Sequence, residues 1–269
     1  MLWLLLVSLL SLQSASPSLH SGGLWLRGGD KRDKNDDLSL NAYTSNGDIA
    51  QYSYAAKAIE RSSPLIGFVV NNTAVIVSFS VPVSPLSMKP RFNIDTYDDY
   101  LATAVTGITA DCDYLRSHTN RLTQSYKLTY GEGALTCDGL SSKISTYVTR
   151  GMYPQDADDD DKISRPLATS MILSSYSNKS KQAKLLLVAN NGIISDSPFA
   201  ALGVSPPRRD ELLQLVQSTT TGSIKQMIEK AVRIILSDEK HANYEFEFCI
   251  ISENGVIHSG RMGSTADIV

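Results

Sequence analysis

The densest run of chemistry-bearing side chains in this 269-residue chain is acidic: Asp156, Asp158, Asp159, Asp160 and Asp161. Clustered carboxylates are hard oxygen donors of the kind that bind calcium. The glycine and distal glutamate of an EF-hand loop are missing, so the run is predicted to be a solvated acidic loop. His20, His118, His241 and His258 stand too far apart for metal-ligand spacing. Cys112, Cys137 and Cys249 have no CxxC spacing and read as buried thiols of a reducing compartment. Arg208-Arg209 beside Asp210 and Glu211 marks a helix start, where acids suit the macrodipole, rather than a phosphate site. No P-loop or GxGxxG fingerprint occurs. These residues predict no metal and no cofactor. A net charge of -3 provides no basic field for nucleic acid.

The elements that hold these residues follow from apolar periodicity. Hydrophobic residues make up 42% of the chain, enough for one sizeable core. Tyr52, Ala55, Ala56 and Ile59 recur at helical spacing. Ile66 to Val70 and Thr73 to Phe79 are β-rich runs separated by Asn71-Asn72, a hairpin because Asn tolerates left-handed backbone. A third strand, Tyr100 to Thr106, ends at Gly107. Two helices follow, one with Leu115, Leu122 and Tyr126 on a face, the next with Leu140, Ile144, Tyr147 and Val148. Strands resume at Leu167 to Ser174, Lys184 to Ala189 and Ile193 to Ser195. Two further helices come next, the second carrying Ile224, Met227, Ile228, Ala231, Ile234 and Ile235. Glu245 to Ile251 and Gly255 to Ser259 close the chain as a strand pair. Helices arrive in pairs between groups of strands, which argues against a doubly wound parallel sheet. Two antiparallel sheets packed face to face, with helix pairs outside, meet the burial demand.

The amino terminus stands apart. Met1 to Leu12 is almost wholly apolar, with Ser14, Ala15, Ser16 and Pro17 after it, the pattern of a secretory signal without a basic start; two readings stand, a true targeting segment or an aberrant extension upstream of the real start. Ser18 to Asp37 is rich in Gly, Arg, Lys and Asp and reads as a linker. We therefore divide the chain into residues 1–37, a signal-like segment and linker, and residues 38–269, one domain. Asn71-Asn72-Thr73 and Asn178-Lys179-Ser180 are glycosylation sequons.

Five stretches carry a family resemblance in collinear order. Asn46 to Ala55 (NGDIAQYSYA) resembles the EGRLxQVEYA stretch of proteasome alpha subunits, with Gly47, Gln51, Tyr54 and Ala55 in register. Gly107 to Asp111 resembles the GLxADAR turn. Gln124 to Glu132 (QSYKLTYGE) is similar to QSYRLTYGE. Arg165-Pro166-Leu167 resembles the RPLG opening of a central strand, and Asn190 through Gly203 resembles a DPSGxxxxxxAxxxG segment. Over roughly Leu38 to Ser259 the chain is identified as a divergent proteasome alpha-type subunit.

The resemblance implies an α+β fold, the four-layer αββα Ntn-hydrolase sandwich. It implies a non-catalytic structural subunit of a heteroheptameric alpha ring that supports assembly and gated substrate entry for protein degradation, in cytoplasm and nucleus. Partners would be other alpha subunits, beta subunits and a regulatory particle or activators. Gly47, Gln51, Tyr52, Tyr54, Ala55, Ile59 and Tyr130 are the expected partner-binding residues. Active members of the family use a freed amino-terminal Thr as nucleophile, tuned by an Asp and a Lys. Here the nucleophile's place falls at Ser62-Ser63-Pro64, the Asp position at Phe79 or Ser80, and the Lys position near Lys89. Asp36-Asp37-Leu38-Ser39 replaces a Tyr-Asp-Arg motif, and Ser80-Val81-Pro82-Val83 offers no cation for activator tails. The rival reading is a secreted or endomembrane binding protein that reuses the fold, with a working signal directing it into the secretory pathway.

Overall fold

A computed structural model describes residues 43–44, 47–81, 92–131, 133–149, 165–218, 223–238, 243–258 and 262. The elements in chain order are α1 (Ala50–Glu60), β1 (Leu65–Val70), β2 (Thr73–Ser80), β3 (Ile94–Asp98), β4 (Leu101–Gly107), α2 (Thr109–Tyr130), α3 (Cys137–Thr149), β5 (Thr169–Ser177), β6 (Gln182–Val188), β7 (Ile194–Asp196), β8 (Phe199–Leu202), α4 (Pro206–Ser218), α5 (Ile224–Leu236), β9 (Glu245–Ser252) and β10 (Gly255–His258).

The strands form two five-stranded sheets, β10-β9-β2-β1-β8 and β3-β4-β5-β6-β7, antiparallel throughout. The β1–β2 register is set by a two-residue turn, Asn71 and Asn72, with φ of 48° and 58°. Both values lie in the left-handed region that a type I′ hairpin demands, and Asn tolerates it through local side-chain hydrogen bonding.

Side-chain alternation divides the core into three layers of contact. On the outer face of the first sheet, Ile66, Phe68, Val75, Val77, Phe79, Phe246 and Phe248 meet Leu212 of α4 and Met227, Ile228, Ala231, Val232 and Ile235 of α5. Between the sheets lie Leu65, Ala74, Ile76, Ala102, Ala104, Ile172, Leu185, Cys249 and Ile251. Outside the second sheet, Val105, Met171, Leu173, Leu186 and Val188 meet Leu115 of α2 and Leu140, Ile144, Tyr147 and Val148 of α3. That is the four-layer αββα sandwich expected from the order of elements. Small residues let the sheets approach: a Cβ on Gly67 would sit 3.0 Å from Leu185 Cδ1 and 3.1 Å from Ile172 Cγ2.

The structure adds two strands to the predicted set. β3 (IDTYD) has one apolar residue in alternation, and β8 (FAAL) is short and dominated by small side chains, so neither carries a period of two strong enough to read. The buried face of α2 also differs from the one expected. It runs through Asp111, Cys112, Leu115, Thr119 and Thr123, with Leu122 and Tyr126 only half-buried at its margin. The hydroxyls of Thr119 and Thr123 donate to Leu115 O and Thr119 O within the helix, which lets polar residues line a buried stripe. The acidic run 156–161, Lys89, His20, His241, the 36–39 motif and the 1–37 segment lie outside the described residues.

Candidate functional site: the α1 face and the loop at Ser63

The approach to α1 is a small closed loop. Tyr43 bridges Ile49, Thr44 N–H donates to Asp48 O at 2.7 Å, and Gly47 N–H to Thr44 O at 2.9 Å. Gly47 sits at φ 85°, which is why the motif needs glycine there. α1 lies over β4 and β5, and the sequence-predicted contact residues on it divide by side. Ala55 (7% exposed) and Ile59 (5%) face this chain's own core. Gln51 and Tyr52 are half-buried, and the Tyr52 carbonyl accepts Asn190 Nδ2–H at 3.4 Å. Tyr54 is 48% exposed, with Lys57 Nζ 5.8 Å from its ring centre. The accessible part of this face is therefore Tyr54 and Lys57, with the edges of Gln51 and Tyr52.

Tyr130 is not brought to this face. It is exposed at the last turn of α2, beside Tyr126 at a ring distance of 5.3 Å. The helix is 22 residues long, so Tyr130 lies roughly 30 Å along its axis from the Gly107–Thr109 corner.

Between α1 and β1 lies the Ser62-Ser63-Pro64 loop, where the resemblance leads one to expect the family's nucleophile. The main chain runs into it without a break from the helix, Ser62 N–H donating to Ile59 O at 3.0 Å. Ser62 Oγ lies 2.6 Å from Ile59 O and 2.8 Å from Thr106 Oγ1, and Thr106 Oγ1 lies 2.6 Å from Ser63 O. Two hydroxyl protons thus serve three oxygen–oxygen contacts. Gly203, at φ 64°, closes the other side: a Cβ there would come within 2.7 Å of Ser62 O and 2.9 Å of Ser63 O. The Pro64 carbonyl accepts Phe79 N–H at 3.0 Å. Of the two residues at which the family's acid was expected, Phe79 is fully buried toward α4 and α5 and Ser80 is half-buried. Thr106 had no distinguishing sequence signal, since its role depends on a partner 43 residues away, whereas Gly203 closes the Asn190 to Gly203 motif without that motif saying what it packs against.

Two sequence motifs meet nearby. The Asp111 carboxylate, 6% exposed, takes Arg165 Nη2–H at 2.6 Å, Arg165 Nη1–H at 2.8 Å and the Ala168 amide at 2.8 Å. It ties the α2 start to the entry of β5. At the other sheet junction Glu247, buried, accepts Asn93 N–H at 2.5 Å and Ile94 N–H at 3.3 Å, with His258 Nε2 at 3.3 Å.

None of the three thiols is in a disulfide, and all are buried. Burial pushes Cys137 and Cys249 up to about 12, so both stay protonated at neutral pH. Among the described residues no group of three or more His, Cys, Asp or Glu side chains is placed to hold a metal ion. Two clefts, of about 330 and 740 Å³, lie on the side of the β3–β4 and β5–β6 turns. The larger is lined by Tyr100, Cys137, Tyr176, Lys184 and Asp196 among others, and neither includes Ser62 or Ser63. No helix among the described residues is long and apolar enough to cross a membrane.

The family model described as Proteasome subunit matches residues 59–251, more than half of the chain. The chain belongs to the proteasome subunit family. This proteasome subunit is 28% identical over 232 residues to proteasome subunit alpha type-3 of Acanthamoeba castellanii, which covers 82% of the chain and 86% of that relative. It is 21% identical over 239 residues to the probable proteasome subunit alpha type-5 of Schizosaccharomyces pombe, covering 87% and 94%. It is 25% identical over 179 residues to the proteasome subunit alpha of Methanocaldococcus jannaschii, covering 66% and 65%. All three are alpha-type subunits, as the motifs implied, and they do not single out one paralogue.

Proposed function

We propose that this proteasome subunit is a non-catalytic structural member of an alpha ring, in cytoplasm and nucleus. It joins neighbouring alpha subunits and a beta ring and helps confine and gate substrate entry, while other chains cut peptide bonds. The observation that carries the reading is the Ser62–Ser63–Pro64 loop. A nucleophile of the family's kind needs a free amino terminus to act as its own base. Here α1 leads directly into that position, and the Ser63 carbonyl is held by Thr106 and crowded by Gly203. The alpha-type relatives support the same assignment. Two measurements test it. The full chain, tagged and expressed in its own cells, is expected to co-migrate with proteasome particles on native gels. The isolated chain is expected to cleave no fluorogenic peptide, and turnover that disappears in Ser63→Ala would overturn the reading.

One observation favours a second reading, that of a lumenal or secreted relative. Asn71 and Asn178, the sequon asparagines, are both exposed. Their turns are joined, because Asn72 Nδ2–H donates to Lys181 O at 2.5 Å and Asn72 Oδ1 accepts the Ala183 amide at 2.8 Å. Glycans on either would leave the core undisturbed. Mass spectrometry of the mature amino terminus separates the two: a start near Pro17 with glycans supports the second reading, and an acetylated or internal start with copurifying proteasome subunits supports the first.

A further inference from the structure

The chain has five Ser-Pro dipeptides, at Ser16, Ser63, Ser84, Ser197 and Ser205. The third residue after each serine is Leu19, Ile66, Ser87, Ala200 and Arg208 in turn, so a cation follows only the last. Ser205-Pro206-Pro207-Arg208 is the substrate pattern of a proline-directed protein kinase that also reads a basic residue. Proline has no N–H, so it fits a pocket in which any other residue would leave a buried donor unpaired. The arginine adds a charge contact, one of the means by which kinases separate substrates.

The fold treats these serines differently. Ser16 and Ser84 lie outside the described residues. Ser63 is half-buried in the loop closed by Thr106 and Gly203. Ser197 Oγ–H donates to Phe199 O at 2.9 Å, and Ser197 Oγ accepts the Phe199 amide at 3.3 Å. Ser205 is exposed, directly after the buried Gly203 and Val204 and ahead of α4. Its carbonyl accepts Arg209 N–H at 3.0 Å, and its hydroxyl has no hydrogen-bond partner among the described residues.

A kinase takes its substrate extended, so the first turn of α4 has to open. No side chain in that turn is buried, and the helix first reaches the core at Leu212. A helix end without buried contacts opens at little cost. The same turn is short of internal support. Pro206 and Pro207 carry no N–H, so Arg208 has the first main-chain donor of the helix. Arg208 pairs with Glu211 at 2.9 Å on the surface, a weak contact, and the exposed Arg209 makes no ion pair among the described residues. The two arginines follow Ser205 by three and four residues, the spacing at which helical side chains meet.

We propose that Ser205 is phosphorylated by a proline-directed kinase and that the phosphate braces the start of α4. Ser205 Oγ attacks the γ-phosphorus of ATP and the bond to the β-phosphate oxygen breaks. ADP leaves, and the hydroxyl proton passes to the kinase's base. The product places close to two negative charges at the positive end of α4, beside two guanidinium groups. The Arg208-Arg209 pair, which marks a helix start by sequence, thereby meets a covalent phosphate rather than a free one. Neither step requires ring membership.

The full, folded chain incubated with magnesium, ATP and a cyclin-dependent kinase that prefers a basic residue three places after the serine tests this. Tandem mass spectrometry is expected to map the phosphate to Ser205 and to find none there in Ser205→Ala. Arg208→Ala is expected to slow the transfer about tenfold or more, the loss of one charge-assisted contact, and Arg208→Lys to restore most of it. No phosphate on Ser205 of the folded chain overturns the proposal, even where a peptide of residues 201–212 accepts it, because the fold then hides the site. Equal rates for Arg208→Ala and the original chain would remove the motif. In the phosphorylated chain, amide exchange over residues 208–211 is expected to slow about tenfold. Unchanged exchange there overturns the brace. Mapping and exchange use the unsubstituted sequence, so they decide the matter even if a variant fails to fold.

Discussion

Asp111 on α2 and Arg165 ahead of β5 are 54 residues apart in sequence and form a two-pronged ion pair at 2.6 and 2.8 Å. Each was legible as part of a separate motif, and the fold makes them one device. The carboxylate is 6% exposed and also accepts the Ala168 amide, so the segment leading into β5 supplies all three of these donors to the charge on α2. The arginine is half-exposed, which screens the pair.

Arg165→Ala leaves the buried carboxylate with one amide donor in place of three. We expect a stability loss of about 1.5–3 kcal/mol, the range for hydrogen bonds to charged groups. Urea denaturation of the variant measures it. A double-mutant cycle with Asp111→Ala is expected to give a non-zero coupling, and strict additivity would show that the pair contributes nothing.

Gly203→Ala tests the closure at Ser63. The position has φ 64°, and the added Cβ would meet two backbone oxygens within 3 Å. Backbone atoms cannot swing aside, so the cost exceeds the roughly 1 kcal/mol of an unsuited φ alone. We expect Gly203→Ala to melt well below the original chain, and Gly131→Ala, at φ 88° with open space around it, to fall less.

Tyr54→Asp tests the exposed face of α1. Tyr54 is about half-exposed in the chain alone, so a charge there is tolerated in the free subunit. In a subunit contact the same charge would be desolvated without a partner. The variant is expected to fold and to be excluded from proteasome particles on native gels. Ala55→Asp, on the inward side, is expected to disturb folding itself.

The buried thiols give stability a sign in alkaline solution. Cys137 and Cys249 are raised by burial from the ordinary value of 9.0 to about 12 in the fold. The unfolded chain loses these protons first, so the folded state binds more protons over that interval. The contribution is complete below about pH 9 and is lost as the pH rises toward about 12. A denaturant midpoint followed between about pH 9 and 11 is expected to fall more steeply in the original chain than in a Cys137→Ala, Cys249→Ala variant. Equal slopes would remove the thiols from the account.

The sequence by itself determined the layered architecture. The order of helix pairs and strand groups, the Asn71-Asn72 turn and the strong period of α5 are local signals, set by backbone preference and by which side chains avoid water. It also carried the family, because five short motifs kept their order while the residues between them diverged. Tertiary structure alone decided the fate of particular side chains. Glu245 and Glu247 alternate with Phe246 and Phe248, a pattern that reads as a strand with one wet face. In the fold that face lies between two sheets, and Glu247 is buried on the amides of Asn93 and Ile94, more than 150 residues away in sequence. In the same way Ala55 and Ile59 belong to a contact motif by sequence, yet they are buried because α1 lies across β4 and β5. Periodicity reports that an element has two faces. What each face meets depends on elements distant in sequence, which no local pattern encodes.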